Sequence, residues 1–79
     1  MSDISMVPVT SSNIRSMGWS AGDPPIVPPV MRVEFLNGSV YDYADVSEEV
    51  FNAVLNAESV GKAYNSLVKN GGYASTKVA

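Results

Sequence analysis

Residues 31–43 constrain the fold of this chain more than any other segment. Two runs rich in β-branched and aromatic residues flank Asn37-Gly38, and that dipeptide between such runs is the strongest short-range hairpin signal. Loop length decides which side chains share a face. A two-residue loop opposes Phe35 to Val40 and Val33 to Asp42, which mixes apolar and charged groups. A three-residue loop over Leu36, Asn37 and Gly38, with the glycine left-handed, opposes Met31 to Tyr43, Val33 to Tyr41 and Arg32 to Asp42. Met31, Val33, Phe35, Tyr41 and Tyr43 then share one face, and a cross-strand ion pair lies on the other. Period-two alternation makes a one-residue slip costly, so the three-residue loop is expected.

The hairpin has extended chain before it and helices after it. Val7 and Val9 alternate with Pro8 and Thr10, Ser11-Ser12-Asn13 marks a turn or bulge, and Ile14 to Trp19 resumes as a strand. Pro8 lacks a backbone donor, which confines the first strand to an edge. Residues 1–8 are read as a flexible arm around that edge. Residues 21–30 form a proline-rich loop, in which Pro24, Pro25, Pro28 and Pro29 forbid a helix and favour an extended, stiff connection. The spacing of Pro25 and Pro28 matches a minimal SH3 ligand, but no basic residue accompanies it, and a connector is the better reading.

Beyond the hairpin, Val46, Val50, Phe51, Val54 and Leu55 recur at helical spacing. Asp45 or Ser47 is placed to cap that helix, and Glu48 and Glu49 suit its positive end. Ser59 is placed to cap a second helix with Val60, Ala63, Tyr64, Leu67 and Val68 on one stripe, Lys69 in the last turn and Asn70-Gly71-Gly72 as its stop. The tail from Tyr73 is able to add a short last strand. The expected fold is α+β: one domain over residues 1–79, a small curled antiparallel sheet centred on the 31–43 hairpin, and two C-terminal helices packed on one face.

Composition removes much of chemistry. The 79 residues include no cysteine and no histidine, which excludes disulfides, thiolate metal sites, a cysteine nucleophile and the usual neutral-pH base. No catalytic residue, cofactor or metal site is expected, and the chain is read as a non-enzyme. Asp42, Asp45, Glu48 and Glu49 cluster in sequence but lack the spacing of a calcium loop, and they read as a solvated strand end and helix start. Ser11 and Ser12 sit in no nucleophile elbow. The net charge of -3 runs against general binding to nucleic acid backbones. No apolar stretch approaches the roughly 20 residues of a membrane span, so a soluble, cytoplasmic protein is expected, without membrane partners.

Two features suggest a binding site. Tyr41 and Tyr43 project side by side and, with Trp19, Phe35 and Tyr64, are able to form a stacking platform for bases; alternatively they lie beneath the helices as core. Ser59-Val60-Gly61-Lys62 resembles part of a phosphate loop at a helix start, yet it lacks the full glycine spacing. A third feature is the apolar set Ile4, Met6, Val7 and Val9, which suggests self-association or capping of another protein.

The residues Ser11-Ser12-Asn13-Ile14, Met17-Gly18-Trp19, Val33-Glu34-Phe35, Gly38, Tyr41-Asp42-Tyr43, Val46 and Ser59-Val60-Gly61-Lys62-Ala63-Tyr64-Asn65 resemble, in order, the KTSC domain. That domain is named after the C-terminal end of some lysyl-tRNA synthetases. The resemblance runs from about Val9 to Val78. It implies a stand-alone bacterial or phage member of the family, acting as a non-catalytic binding module, with RNA or a nucleotide as the ligand the synthetase context suggests. The positions it carries over are Ser12, Asn13, Tyr41, Tyr43, Gly61, Lys62 and Asn65. Three departures stand out: Trp19 replaces the common tyrosine, the segment before Met31 is longer and proline-rich, and Val60 replaces a common basic residue. The alternative is a phage or bacterial accessory protein acting through a host-protein partner or self-association, in the host cytoplasm when phage-encoded.

Overall fold

The computed structural model describes residues 4–79. Five strands form one antiparallel sheet in chain order: β1 (Met6–Pro8), β2 (Ile14–Ser20), β3 (Val30–Phe35), β4 (Val40–Ala44) and β5 (Ser75–Lys77). Between β4 and β5 the chain leaves the sheet to form α1 (Glu48–Leu55), α2 (Val60–Tyr64) and a π-helical turn (Asn65–Lys69) that continues α2. The expected α+β architecture is therefore the observed one. No helix among the described residues is long and apolar enough to cross a membrane.

The central hairpin takes the register that face segregation requires. Met31 opposes Tyr43, Arg32 opposes Asp42 and Val33 opposes Tyr41. The loop is Leu36-Asn37-Gly38, closed by the Phe35 N–H donating to Ser39 O at 2.8 Å, with Gly38 at φ 92° in the region where only glycine is unstrained. On the outer face Arg32 donates from Nε to Asp42 Oδ1 at 2.7 Å and from Nη2 to Oδ2 at 2.9 Å. This forked pair is half-exposed, which limits its contribution to about 1 kcal/mol or less.

The inner face holds the core. Met17 from β2, Met31 and Val33 from β3 and Tyr43 from β4 meet Phe51 and Val54 of α1 and Val60, Tyr64 and Val68 of the second helical segment. Ser47 caps α1, its Oγ accepting from the Val50 N–H at 3.2 Å. Asp45, the other cap candidate, instead occupies the turn into the helix at φ 65°. The second helix departs from expectation beyond Asn65. Its last turn widens, and the Asn70 N–H donates to Asn65 O at 3.0 Å, five residues back instead of four. Val60, Tyr64 and Val68 stay buried at four-residue spacing, while Leu67, expected on the same stripe, is exposed.

Two further readings need correction. Residues 1–8 are not all a loose arm: Met6, Val7 and Pro8 pair with Gly18, Met17 and Ser16 of β2, and residues 1–3 lie outside the described part. Gly18 explains the pairing, because a Cβ there would lie 2.5 Å from Ser5 O and 2.6 Å from Ile4 Cγ2. The missing side chain lets the N-terminal segment lie against the sheet. The proline-rich loop is not extended throughout. Asp23 and Val27 exchange backbone hydrogen bonds at 2.8 Å each, which folds Pro24 and Pro25 into a tight turn.

A polar groove and an aromatic cleft

The loop before β2 and the start of α2 build a groove of about 400 Å³, with residues 10–13 on one wall and 58–62 together with Asn65 on the other. Each wall is shaped by local hydrogen bonds. Ser11 Oγ donates to Asn13 Oδ1 at 3.0 Å and accepts from the Asn13 and Ile14 N–H groups at 3.3 and 3.4 Å. That turn presents Ser11, Ser12 and Asn13 toward the helix. Opposite, Ser59 Oγ accepts from the Lys62 N–H at 3.4 Å, the capping role its sequence position predicts.

Gly61 is where the walls come closest. A Cβ there would stand 2.9 Å from Asn13 Oδ1 and 3.2 Å from Ser11 Oγ, so the glycine is a close-approach residue. Ser12, Asn13, Gly61, Lys62 and Asn65, spread over two distant segments, all line this one groove. Its surface is made of hydroxyls and amides, with the Lys62 ammonium and the Glu58 carboxylate as its charged groups. Among the described residues no three acidic side chains converge on a point.

Tyr41 and Tyr43 lie elsewhere. They line a second cleft with Phe35, Tyr64, Lys69, Tyr73 and Ser75, which shares no residue with the groove. The helices cover most of Tyr43 and Tyr64, which are only 7 % and 4 % exposed, and their hydroxyls hydrogen-bond to each other. Burial, then the bond to Tyr43, pushes the Tyr64 phenol well above its ordinary range. Phe35 sits edge-on to both Tyr41 and Tyr64 at centroid distances of 5.9 and 5.5 Å. Trp19 is half-buried, and its indole N–H donates to Val46 O at 2.7 Å. The expected stacking platform is thus mostly core: edge-to-face packing and helix cover occupy the ring faces that a base would need. Tyr41 alone of the hairpin pair is half-exposed.

Sequence reasoning placed Thr10, Glu58, Lys69 and Tyr73 in no site. Glu58 falls between the two expected helices, and Tyr73 read as the start of a tail. Neither carries a local signal, because each reaches its cleft only through the return of the chain along the sheet.

A short antiparallel meander whose helical pair is inserted before the last strand, with a glycine holding the helix start against the loop before β2, defines a class of small α+β domain. The chain belongs to the KTSC domain family, whose model matches residues 10–73. A crystal structure of a KTSC domain protein from Yersinia pestis superposes with a TM-score of 0.76 at 26% identity, over 98% of this chain and 100% of that one. An uncharacterised protein of Stutzerimonas stutzeri is 37% identical over 63 residues, covering 80% of this chain and 82% of its own. A protein of Tsukamurella paurometabola is 36% identical over 64 residues, covering 81% of this chain and 88% of its own.

Proposed function

We propose that this KTSC domain is a non-catalytic binding module whose ligand occupies the groove between residues 10–13 and 58–65. The observation that carries the reading is the approach at Gly61, where a side chain would displace the end of the Asn13 side chain and crowd Ser11. An interior packing glycine brings apolar surfaces together. This one instead brings two polar walls together around an open space. The lining of hydroxyls and amides, with the Lys62 ammonium and the Glu58 carboxylate, suits a nucleotide-sized ligand that offers one phosphate to Lys62 and several hydroxyls to the serines, the asparagines and Glu58. A long RNA suits it less. The net charge is -3, and the rings of Tyr43 and Tyr64 are covered.

The non-catalytic part of the reading rests on hydrogen-bond chemistry. Ser11 Oγ donates to an amide oxygen, which cannot take up its proton at neutral pH. Ser16 Oγ does donate to the Glu34 carboxylate at 2.8 Å, but Ser16 is buried and closed to substrate. Titrating 15N-labelled protein with adenosine monophosphate and with a tetraribonucleotide tests the proposal. Amide shifts confined to residues 11–13 and 59–65, weakened about tenfold in Lys62→Ala, are expected. Shifts elsewhere, or none at millimolar ligand, would refute the nucleotide reading.

A second reading, an accessory protein working through protein contacts or self-association, rests on Val7, Leu67 and Val78, apolar side chains left exposed on the surface. Sedimentation velocity over a hundredfold concentration range separates a self-associating chain from a monomer.

A further inference from the structure

The two edges of the sheet are built differently. Along β1 the Val9 N–H donates to Arg15 O at 3.1 Å, so the alternation of an antiparallel ladder turns the backbone groups of Pro8 outward. Proline has no N–H to offer there, and this edge is blunted in the manner natural sheets use against unwanted pairing. Along β5 the Val78 N–H donates to Val40 O at 2.7 Å and the Ala44 N–H donates to Ala74 O at 2.9 Å. The same alternation directs the N–H and C=O groups of Ser75 and Lys77 away from β4, on the last strand of the sheet. All three residues of β5 are exposed, and none is a proline. The β5 edge is an unblocked template for one more strand.

Charge says what kind of strand. Lys77 pairs with Tyr41 across the ladder and so lies on the inner face, where Lys69, Tyr73 and Ser75 line the aromatic cleft next to the edge. Among the described residues the only ion pair is Arg32 with Asp42, so no carboxylate of those residues neutralises either lysine. A second copy pairing antiparallel through β5 would set these lysines near their own equivalents, which is unfavourable.

We propose that the β5 edge binds an extended segment of a partner protein, added as a sixth strand, with acidic side chains on the face of Lys69 and Lys77. Backbone pairing with Ser75 and Lys77 supplies the common part of the affinity, and the two lysines select the acidic face. The proposal rests on the protein-contact reading above and is independent of the polar groove, with which the aromatic cleft shares no residue.

The test uses the full chain and a capped hexapeptide of alternating glutamate and valine. Hydrogen exchange followed by NMR should show the Ser75 and Lys77 amides slowed at least tenfold by the peptide, with shifts at Tyr41 and Tyr73. Lys69→Glu/Lys77→Glu, both at exposed positions, should abolish that protection and instead accept a second capped hexapeptide, of alternating lysine and valine. A peptide methylated on alternate backbone nitrogens should bind at least tenfold more weakly. Unchanged exchange at Ser75 and Lys77 at millimolar peptide, protection at the β1 edge, or equal binding by the double variant and wild type would overturn the proposal. Slowing of those amides by protein concentration alone would assign the edge to a second copy and overturn it as well; sedimentation would then register the dimer.

Discussion

Tyr43 and Tyr64 show how much a single hydroxyl pair decides. Each ring is buried and each hydroxyl finds its partner in the other. Replacing Tyr43 by phenylalanine leaves the Tyr64 hydroxyl in the core without that partner, and a loss of about 1–3 kcal/mol is expected from urea unfolding. Replacing both tyrosines should cost less than the sum of the single changes, since no orphaned hydroxyl then remains. The same pair gives a pH signature. Tyr64 titrates near pH 10 when unfolded and well above that when folded. Between those values the folded state therefore holds one more proton. Stability should be insensitive to this group below about pH 10 and fall above it, by at most about 1.4 kcal/mol per pH unit. Urea midpoints from pH 8 to 12 should show that extra fall in wild type and lose it in Tyr64→Phe. Strand alternation was enough to put Tyr41 and Tyr43 on one face. Which of them the helices would cover was not, because cover depends on where α2 crosses the sheet, and no residue near the tyrosines encodes that crossing.

At the scale of elements, local rules held where local geometry is decisive. Face segregation in residues 31–43 set the hairpin register, and Gly38 met the left-handed position its loop needs. Ser47 capped α1 as its position suggests, and Ser47→Ala should cost about 1 kcal/mol in chemical denaturation. The π-helical turn was invisible beforehand, since its residues have no composition that separates a five-residue from a four-residue return. The attachment of β1 was equally hidden, because Gly18 looks in sequence like a weakness in a strand. It is the position that admits residues 4–6. Gly18→Ala would place a Cβ 2.5 Å from Ser5 O, a backbone atom. The Val7 and Val9 amides, which face β2, should then lose hydrogen-exchange protection while those of β3 and β4 keep theirs.

For the molecule as a whole, one helical segment serves every feature. Its buried residues Val60, Tyr64 and Val68 close the core, Gly61, Lys62 and Asn65 line the polar groove, and Tyr64 and Lys69 line the aromatic cleft. Neither cleft has a scaffold of its own, so local melting that spares the core is not available to them. Thermal unfolding followed by Trp19 fluorescence and by far-ultraviolet circular dichroism should therefore superimpose, with an enthalpy of about 55 kcal/mol for a chain of 79 residues. Separate transitions would show that the grooves and the core are independent units. By itself the sequence determined the fold class, the hairpin register, the first helix, and the chemistries closed to a chain without cysteine or histidine. Each of these follows from side-chain period, from backbone freedom at single residues, or from which functional groups exist. Only the tertiary structure decided that Ser12, Asn13, Gly61, Lys62 and Asn65 share one groove while Tyr41 and Tyr43 belong to another. Segments tens of residues apart meet where the helical pair returns across the sheet, and that crossing is set by the packing of the whole core.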